Sequence, residues 1–358
     1  MYIKSKCDHL SMNLPKVFII ILNWNGLKDT LECLESVLKM DYPNFKVIVV
    51  DNGSTDNSVT VIREDYPQVI IIENGENLGY TGGNNVAMSY AMKNGADYTW
   101  LLNNDTIVEV NTLNKLVFSA ESSPDIGIIS AIIYFYDQPS KIQFCGGFLD
   151  WRNFRVPQTR NLESWYEINK LQGKTISLWG TAVLIKRNVI EKVGYLNSKY
   201  FAYEEDCEYS IRVAKAGYRS MIEPLAKVYH KDSRSTGGRK TPVQVYFRTR
   251  NFYFLWMENV KGLRKIAYFR EFLASSISYA ANLRDQKMNE SADACFDGVW
   301  FAVRNVGGAW NKTIKMPYLV KKILSWHPHF LASLLRGEFL HIASEVLKRT
   351  KMEIFKTE

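Results

Sequence analysis

The sequence is poor in the features that define several protein classes. Its 358 residues include only five cysteines (Cys7, Cys33, Cys145, Cys207 and Cys295) with no C-x-x-C pair, which excludes a zinc knot or disulfide framework and suits a reducing compartment. No stretch reaches the ~18 apolar residues of a membrane span, and the most apolar early run, Val17 to Leu22, is of strand length. Residues 1–14 are polar and mixed, without the apolar stretch of a signal peptide, so a short disordered lead and a cytoplasmic protein are expected. The loop after that first run holds one glycine, Gly26, where a dinucleotide fingerprint needs G-x-G-x-x-G, and no G-x-x-x-x-G-K-[ST] phosphate loop occurs. There is no internal repeat and no low-complexity tract.

What is present reads as an α/β protein. The apolar fraction of 46% is enough for a sizeable core, and the length suits one large α/β domain with a smaller helical appendage. Val17–Leu22 and Lys46–Val50 are continuous apolar runs, as expected of strands buried on both faces. Val69–Ile72 and Tyr98–Leu102 follow as a third and fourth strand. Between them Leu27–Met40 has helical spacing, with Leu31, Leu34, Val37 and Leu38 on one side; Ser54 or Asp56 is placed to cap the next helix, and Gly82–Asn94 reads as another. This alternation implies parallel strands joined by right-handed helical crossovers. Ile126–Phe148 is rich in β-branched and aromatic residues, with Cys145-Gly146-Gly147 as a turn. Ser177–Ile185 reads as one strand, Glu205–Ala216 as a helix stopped by Gly217, and Tyr218–Tyr229 as extended. Past Pro242 the pattern is mostly helical, with a boundary expected between 240 and 260.

Charge is unevenly placed. From Lys261 to Glu358 there are 16 Lys/Arg and 9 Asp/Glu, +7 of the net +8. A basic tail rich in aromatic residues suits an anionic membrane surface or nucleic acid, or simply a solvated helical face. The near-neutral first 260 residues and the lack of any nucleic-acid motif disfavour nucleic acid.

Polar residues gather where the apolar strands end. Strand one runs into Asn23-Trp24-Asn25-Gly26, and strand two into Asp51-Asn52-Gly53-Ser54. Strand three is followed by Asn77-Leu78-Gly79 and Gly82-Gly83-Asn84, and strand four runs into Asn103-Asn104-Asp105. Each alone suits a turn. Four in succession on one sheet edge predict a ligand crevice, because ligands of open parallel sheets sit at the carboxyl ends of the strands. A hard cation on Asp105 can bridge to diphosphate oxygens, and Asp51 can accept hydrogen bonds from a base or ribose, or cap a turn.

Asn23-Trp24-Asn25, the run Val50 to Asp56, Leu102-Asn103-Asn104-Asp105, and Glu204-Glu205-Asp206 followed by Arg212 resemble glycosyltransferase family 2, and within it the rhamnosyltransferase-like enzymes of bacterial cell-surface polysaccharide synthesis. The resemblance covers about residues 15 to 255. It implies a GT-A fold (a Rossmann-like, mainly parallel sheet flanked by helices), followed by a helical, basic region over 256–358. It also implies a nucleoside-diphosphate sugar donor, a divalent metal (Mg²⁺ or Mn²⁺) and inversion at the anomeric carbon. By carry-over, Asp51 and the backbone around Asn23 and Trp24 contact the nucleotide, with Gly79 and Asn84 in the same crevice. Asn103-Asn104-Asp105 stands where the family has D-x-D; its first position is Asn, so metal binding leans on Asp105, the diphosphate and a further ligand. His230 is similar to a family histidine that joins the metal.

An inverting transfer needs a base for the acceptor hydroxyl. The family pattern favours Asp206, with Glu205 second because the doubled Glu leaves the register open. Leu178-Trp179-Gly180-Thr181-Ala182 resembles the strand facing the acceptor, with Trp179 and Gly180 as contacts, although Trp179 equally suits the core. Arg234 and Arg239 flank Gly237-Gly238 in a loop placed to close on the diphosphate, or to stand solvated. Lys321-Lys322 with Ile323, Leu324 and Trp326 suit an amphipathic helix on the inner face of an anionic membrane, where lipid-linked acceptors sit. By resemblance alone the donor is dTDP-rhamnose and the acceptor a glycan or lipid-linked glycan. A UDP-sugar donor, or a sugar-nucleotide-binding relative without catalysis, are the other readings.

Overall fold

The computed structural model describes residues 14–163, 176–231 and 240–337. The chain divides into two compact units, Met1–Gly238 and Arg239–Glu358.

The first unit is built on a sheet in the order β3-β2-β1-β4-β10-β6-β11-β5, with β7 alongside β6. Strands β1 (Val17–Asn23), β2 (Phe45–Asp51), β3 (Ile70–Glu73) and β4 (Tyr98–Asn103) are mutually parallel, as the alternating pattern predicts. They are joined by helices α1 (Leu27–Val37), α2 (Ser58–Asp65) and α3 (Gly79–Lys93). The second half is mixed. After β5 (Thr106–Val108) and α4 (Thr112–Glu121) come β6 (Ile126–Phe135), β7 (Gln138–Phe144) and β8 (Gly147–Phe148). Then follow β9 (Ile176–Ser177), β10 (Ala182–Lys186), α5 (Arg187–Val193), α6 (Glu205–Lys215) and β11 (Arg219–His230). β10 runs antiparallel to both β4 and β6, and β11 runs parallel to β6 and antiparallel to β5.

The continuous apolar runs are explained by two cores. Val17, Ile19 and Ile21 of β1 pack with Cys33, Leu34 and Val37 of α1 and with α4, whereas Phe18 and Ile20 pack with Ala87, Met88 and Ala91 of α3 and with residues of α5 and α6. A strand alternates its side chains between faces, so one covered on both sides must be apolar at every position.

Three local expectations change. Residues Ser177–Ile185 do not form one strand: Leu178–Thr181 leave the ladder because their backbone groups bond elsewhere, with Gly180 N–H donating to Asp206 Oδ2 (3.1 Å) and Gly180 C=O accepting from Tyr80 Oη (2.6 Å). Helix α2 begins at Ser58, flanked by Asn57, so neither Ser54 nor Asp56 is its flanking cap residue, although Asp56 Oδ1 accepts from Ser58 N–H at 3.1 Å. Helix α3 begins at Gly79, three residues earlier than its apolar spacing predicts, where Asn77 Oδ1 accepts the Gly79 N–H at 2.8 Å. The loop with Arg234 and Arg239 lies outside the described residues.

The second unit is helical, with α7 (Pro242–Asn259), α8 (Arg264–Asp285), α9 (Asn289–Val303), α10 (Tyr318–Ser325) and α11 (Pro328–Arg336). Thr241 caps α7 and Pro242 occupies its first turn. Gly298 lets α9 approach α7: a Cβ there would meet the Tyr246 carbonyl oxygen at 2.8 Å. Aromatic rings fill the interior. Tyr246 stacks on Trp310 at 4.4 Å, and the buried Arg250 guanidinium lies 4.9 Å from the Phe247 ring centre while donating to Gly308 C=O at 2.6 Å. Among the described residues no helix is long and apolar enough to cross a membrane.

Candidate functional site

The polar ends of β1, β2 and β4 are not loose turns. Asn23, Asp51, Asn104 and Asp105 are all buried, and burial of polar groups is tolerated only when they are hydrogen-bonded. Asn104 Nδ2 donates to Thr30 Oγ1 (3.0 Å), Thr30 Oγ1 donates to Asn23 Oδ1 (2.8 Å), and Asn23 Nδ2 donates to Asp51 Oδ1 (3.1 Å). Asp51 Oδ2 accepts from the Ser54 N–H at 3.0 Å. A single line of bonds therefore joins the end of β4 to the ends of β1 and β2. Thr30 was not singled out in the sequence. Its signal is a polar residue on the stripe Thr30, Cys33, Leu34, Val37 that α1 buries. Cys33, on the same stripe, is a packed neutral thiol, pushed up to about 12 by burial.

A second anchor fixes the loop before α3. Asn52 Oδ1 accepts from Asn74 Nδ2 and Leu78 N–H, and its Nδ2 donates to Asn77 Oδ1 and to the Gly79 carbonyl. Gly79 is held at φ +73°, and a Cβ there would fall 2.5 Å from the Phe201 carbonyl oxygen, so both its conformation and its neighbour require glycine. Asn84 is buried within α3 and donates to the Tyr80 carbonyl of its own helix at 2.8 Å. Trp24 projects outward, 45% exposed.

The structure pairs Asp105 with His230. His230, at the end of β11, places Nε2 3.2 Å from Asp105 Oδ1, while its Nδ1 lies 2.9 Å from Gln143 Oε1. The imidazole thus bridges the Gln143 amide oxygen through Nδ1 and the Asp105 carboxylate through Nε2. Burial pushes the Asp105 carboxyl up, but His230 and Lys231 outweigh it and hold the group below the usual carboxylate range. Lys231 N–H also donates to the Asp105 carbonyl (3.0 Å), and its buried Nζ is held between Asp29 (2.7 Å) and Glu32 (2.6 Å) of α1. With a cation between them, His230 Nε2 and the Asp105 carboxylate would both serve as electron-pair donors while Nδ1–H donates to Gln143, a donor set suited to a divalent cation. Among the described residues no group of three or more His, Cys, Asp or Glu forms a metal set, so such a cation would complete its shell from phosphate oxygens.

Asp206 sits beside the same edge. Its Oδ2 accepts the Gly180 N–H at 3.1 Å, and the Thr181 carbonyl accepts the N–H of the half-buried Asn103 at 2.9 Å, so two adjacent backbone units connect β4's end to Asp206. Just upstream, Phe201, Tyr203 and Glu204 all have positive φ (63°, 68° and 67°). Non-glycine residues pay about 1–2 kcal/mol each for that conformation, and such strain concentrates at functional sites. Glu205 differs from Asp206. It is buried, its Oε2 has no hydrogen-bond partner, and burial first and the Asp206 carboxylate second push its carboxyl well above the ordinary range. A cavity of about 10 Å³ beside Tyr80, Leu178, Glu205 and Asp206 has room for roughly one water and none for a sugar. Trp179 is half-buried with one ring face stacked on Phe144 (4.3 Å, 9°), and both backbone polar groups of Gly180 are engaged.

Known proteins bear on this geometry. The family model described as glycosyl transferase family 2 matches residues 18–194. Over 241 residues the chain is 27% identical to the uncharacterized protein y4gI of Sinorhizobium fredii, covering 64% of this chain and 26% of that protein. Over 222 residues it is 27% identical to the N-acetylglucosaminyl-diphospho-decaprenol L-rhamnosyltransferase of Mycobacterium tuberculosis, covering 53% of this chain and 68% of that one. The match thus spans about a quarter of the first relative and about two thirds of the second. Among solved structures, the mannosyltransferase PcManGT from Pyrobaculum calidifontis in complex with GDP-Man and Mn2+ superposes with a TM-score of 0.50 at 16% identity, over 97% of this chain and 93% of that one. Likeness at that identity speaks for the fold, which is GT-A.

Proposed function

Because the chain belongs to glycosyltransferase family 2, we propose that it moves a sugar, with inversion, from a nucleoside-diphosphate donor to a glycan or lipid-linked acceptor of cell-surface polysaccharide synthesis. The observation that carries this is the convergence of Asp105 and His230 at the polar edge of the sheet. In this reading the buried line through Asn23 and Asp51 receives the nucleotide, with Trp24, Gly79 and Asn84 shaping its pocket, and Asn103, Asn104 and Asp105 border the diphosphate. Asp105 and His230 would hold Mg²⁺ or Mn²⁺, whose charge offsets that developing on the leaving diphosphate; the PcManGT complex with Mn2+ supports a metal in this fold.

Asp206 is proposed as the base. The acceptor oxygen forms the new bond to the anomeric carbon, the bond to the diphosphate oxygen breaks and its electron pair leaves with the nucleotide, and the hydroxyl proton passes to Asp206. Glu205, buried and favoured neutral, is the weaker candidate, since a protonated carboxyl accepts no further proton. Trp179 offers its unstacked face, and Gly180 its rigid backbone, to the acceptor side.

The donor proposed first is dTDP-rhamnose, supported by the name of the Mycobacterium relative, whose N-acetylglucosaminyl-diphospho-decaprenol also supports a lipid-linked acceptor. Contact of the basic C-terminal region with a membrane belongs to the same proposal. The test is a panel of dTDP- and UDP-sugars, with Mn²⁺, Mg²⁺ or chelator, read by thermal shift and by the anomeric configuration of the product. A bound ligand stabilises the native state by mass action. Asp206→Asn is expected to retain the donor-induced shift while transfer falls by about 10²–10⁴-fold. Transfer surviving intact in that variant would remove Asp206 from its role, and no shift with any nucleotide would reject the transferase reading.

A further inference from the structure

Helix α10 is unusual for a folded protein in having no buried residue. Its apolar side chains point outward: Leu319 is 71% exposed and Ile323 64%, and Trp326 directly after it is 69% exposed. Phe330 and Leu334, four apart on one side of α11, continue the patch at 51% and 48%. Single exposed apolar residues need no explanation, but a contiguous run on two successive helices does. The adjoining side of α10, about a third of a turn round from Leu319 and Ile323, lines a cleft of about 640 Å³ bordered by Arg284 of α8, Asp293 of α9, Lys315, Lys321 and Lys322. Four cations there meet two carboxylates. Asp293 lies 3.6 Å from Arg284 and 3.3 Å from Lys321, and Lys315 pairs with the buried Asp297 at 3.4 Å, which leaves the cleft with an excess of positive charge.

We propose that α10 and α11 lie in the plane of an anionic bilayer, with Leu319, Ile323, Trp326 and Phe330 in the acyl–headgroup boundary and a phospholipid phosphate in the Arg284–Lys315–Lys321–Lys322 cleft. Apolar side chains beside lysines on a helix too short to span is the pattern of interfacial helices, and tryptophan favours that depth because its ring is both apolar and a hydrogen-bond donor. The charge selects the occupant. An uncharged apolar partner would leave the cleft's cations unmatched, whereas an anionic lipid surface matches cleft and apolar edge together. The inference goes beyond the transfer chemistry and uses none of its residues.

The experiment is flotation of the full chain, without donor or acceptor, on vesicles of phosphatidylcholine alone or with about one third phosphatidylglycerol, at low salt and at about 0.5 M salt, where exposed charges are screened. The chain is expected to float with phosphatidylglycerol at low salt and to remain below with phosphatidylcholine. Lys321→Gln with Lys322→Gln is expected to lower partition about 25-fold, roughly five-fold per lysine. Leu319→Ser, Ile323→Ser and Trp326→Ser together are expected to lower it at least ten-fold, with an unchanged melting curve showing that the fold is kept. Wild-type protein that stays below with phosphatidylglycerol, or equal flotation of all three proteins, overturns the proposal. So does a concentration-dependent dimer that the triple serine variant abolishes without any flotation, which would assign the face to a second copy. Stabilisation by soluble glycerophosphate equal to that by vesicles would assign the cleft to a free phosphate and overturn it as well.

Discussion

The two units break the ordinary rule of burial in opposite directions. The first hides polar side chains: Asn23, Asp51, Asn104, Asp105 and His230 are all buried at one edge of its sheet. The second displays apolar ones: Leu319, Ile323, Trp326 and Phe330 are each at least half exposed. Each choice costs free energy in water, the first by desolvation and the second by hydration of apolar surface. The difference lies in compensation. Each of these five residues has a partner within the chain, so this edge is assembled before any ligand arrives. The apolar side chains of the second stay largely exposed among the described residues.

That contrast can be broken in four places. The largest effect is expected at Asp105. Asp105→Ala should lower metal-dependent transfer by about a thousand-fold, since a metal supplies several kcal/mol of charge stabilisation, and Asn103→Ala should lower it less. Full activity of Asp105→Ala in a steady-state assay would dissolve the assignment of the polar edge. Next is Thr30→Val, which keeps shape but strands Asn23 Oδ1 and Asn104 Nδ2. A loss of about 1–3 kcal/mol in urea unfolding is expected, and a neutral result would mean that the line of bonds adds nothing to the fold.

The third concerns pH. A carboxyl held above its ordinary value, as Glu205 is by burial, contributes stability that is fully present below its unfolded pKa of about 4.3 and is lost as pH rises toward the folded value. Glu205→Gln has no charge to bury. Its melting temperature relative to wild type should therefore climb as pH rises above about 4.3; a difference that stays constant with pH would show Glu205 to be ionised without penalty. The smallest effect is expected in the second unit. Leu319→Ser should change unfolding stability in water by no more than about 0.5 kcal/mol, because the side chain touches no core. A larger loss in chemical denaturation would mean that the face is packed after all.

Much of this was legible before the structure. Val17–Leu22 and Lys46–Val50 announce strands covered on both faces, and the Asn and Asp residues that end them mark the polar edge because a parallel sheet places all such ends together. What pattern could not supply was pairing across distance. The family resemblance alone joins His230 to Asp105, nothing points to Gln143, and Thr30 reads as one more polar residue until its helix is seen to bury it. Ser177–Ile185 has the composition of a strand, but tertiary bonds from Tyr80 and to Asp206 draw Leu178–Thr181 out of the ladder. The left-handed run at Phe201, Tyr203 and Glu204 contains no glycine to signal it.

The line from Asn104 to Asp51 also has a direction. Asn104 starts it as a donor, Asn23 accepts from Thr30 and donates onward to Asp51, and the single hydroxyl proton of Thr30 is committed to Asn23. Reversal would require both asparagines and the threonine to turn together, with no proton then left to meet the Asp51 carboxylate. An aspartate at position 23 or 104 would set acceptor against acceptor somewhere along it. The amides at the strand ends are thus not weakened acids; they act as the rectifying elements of a one-way circuit whose polarity terminates on the fixed negative charge of Asp51.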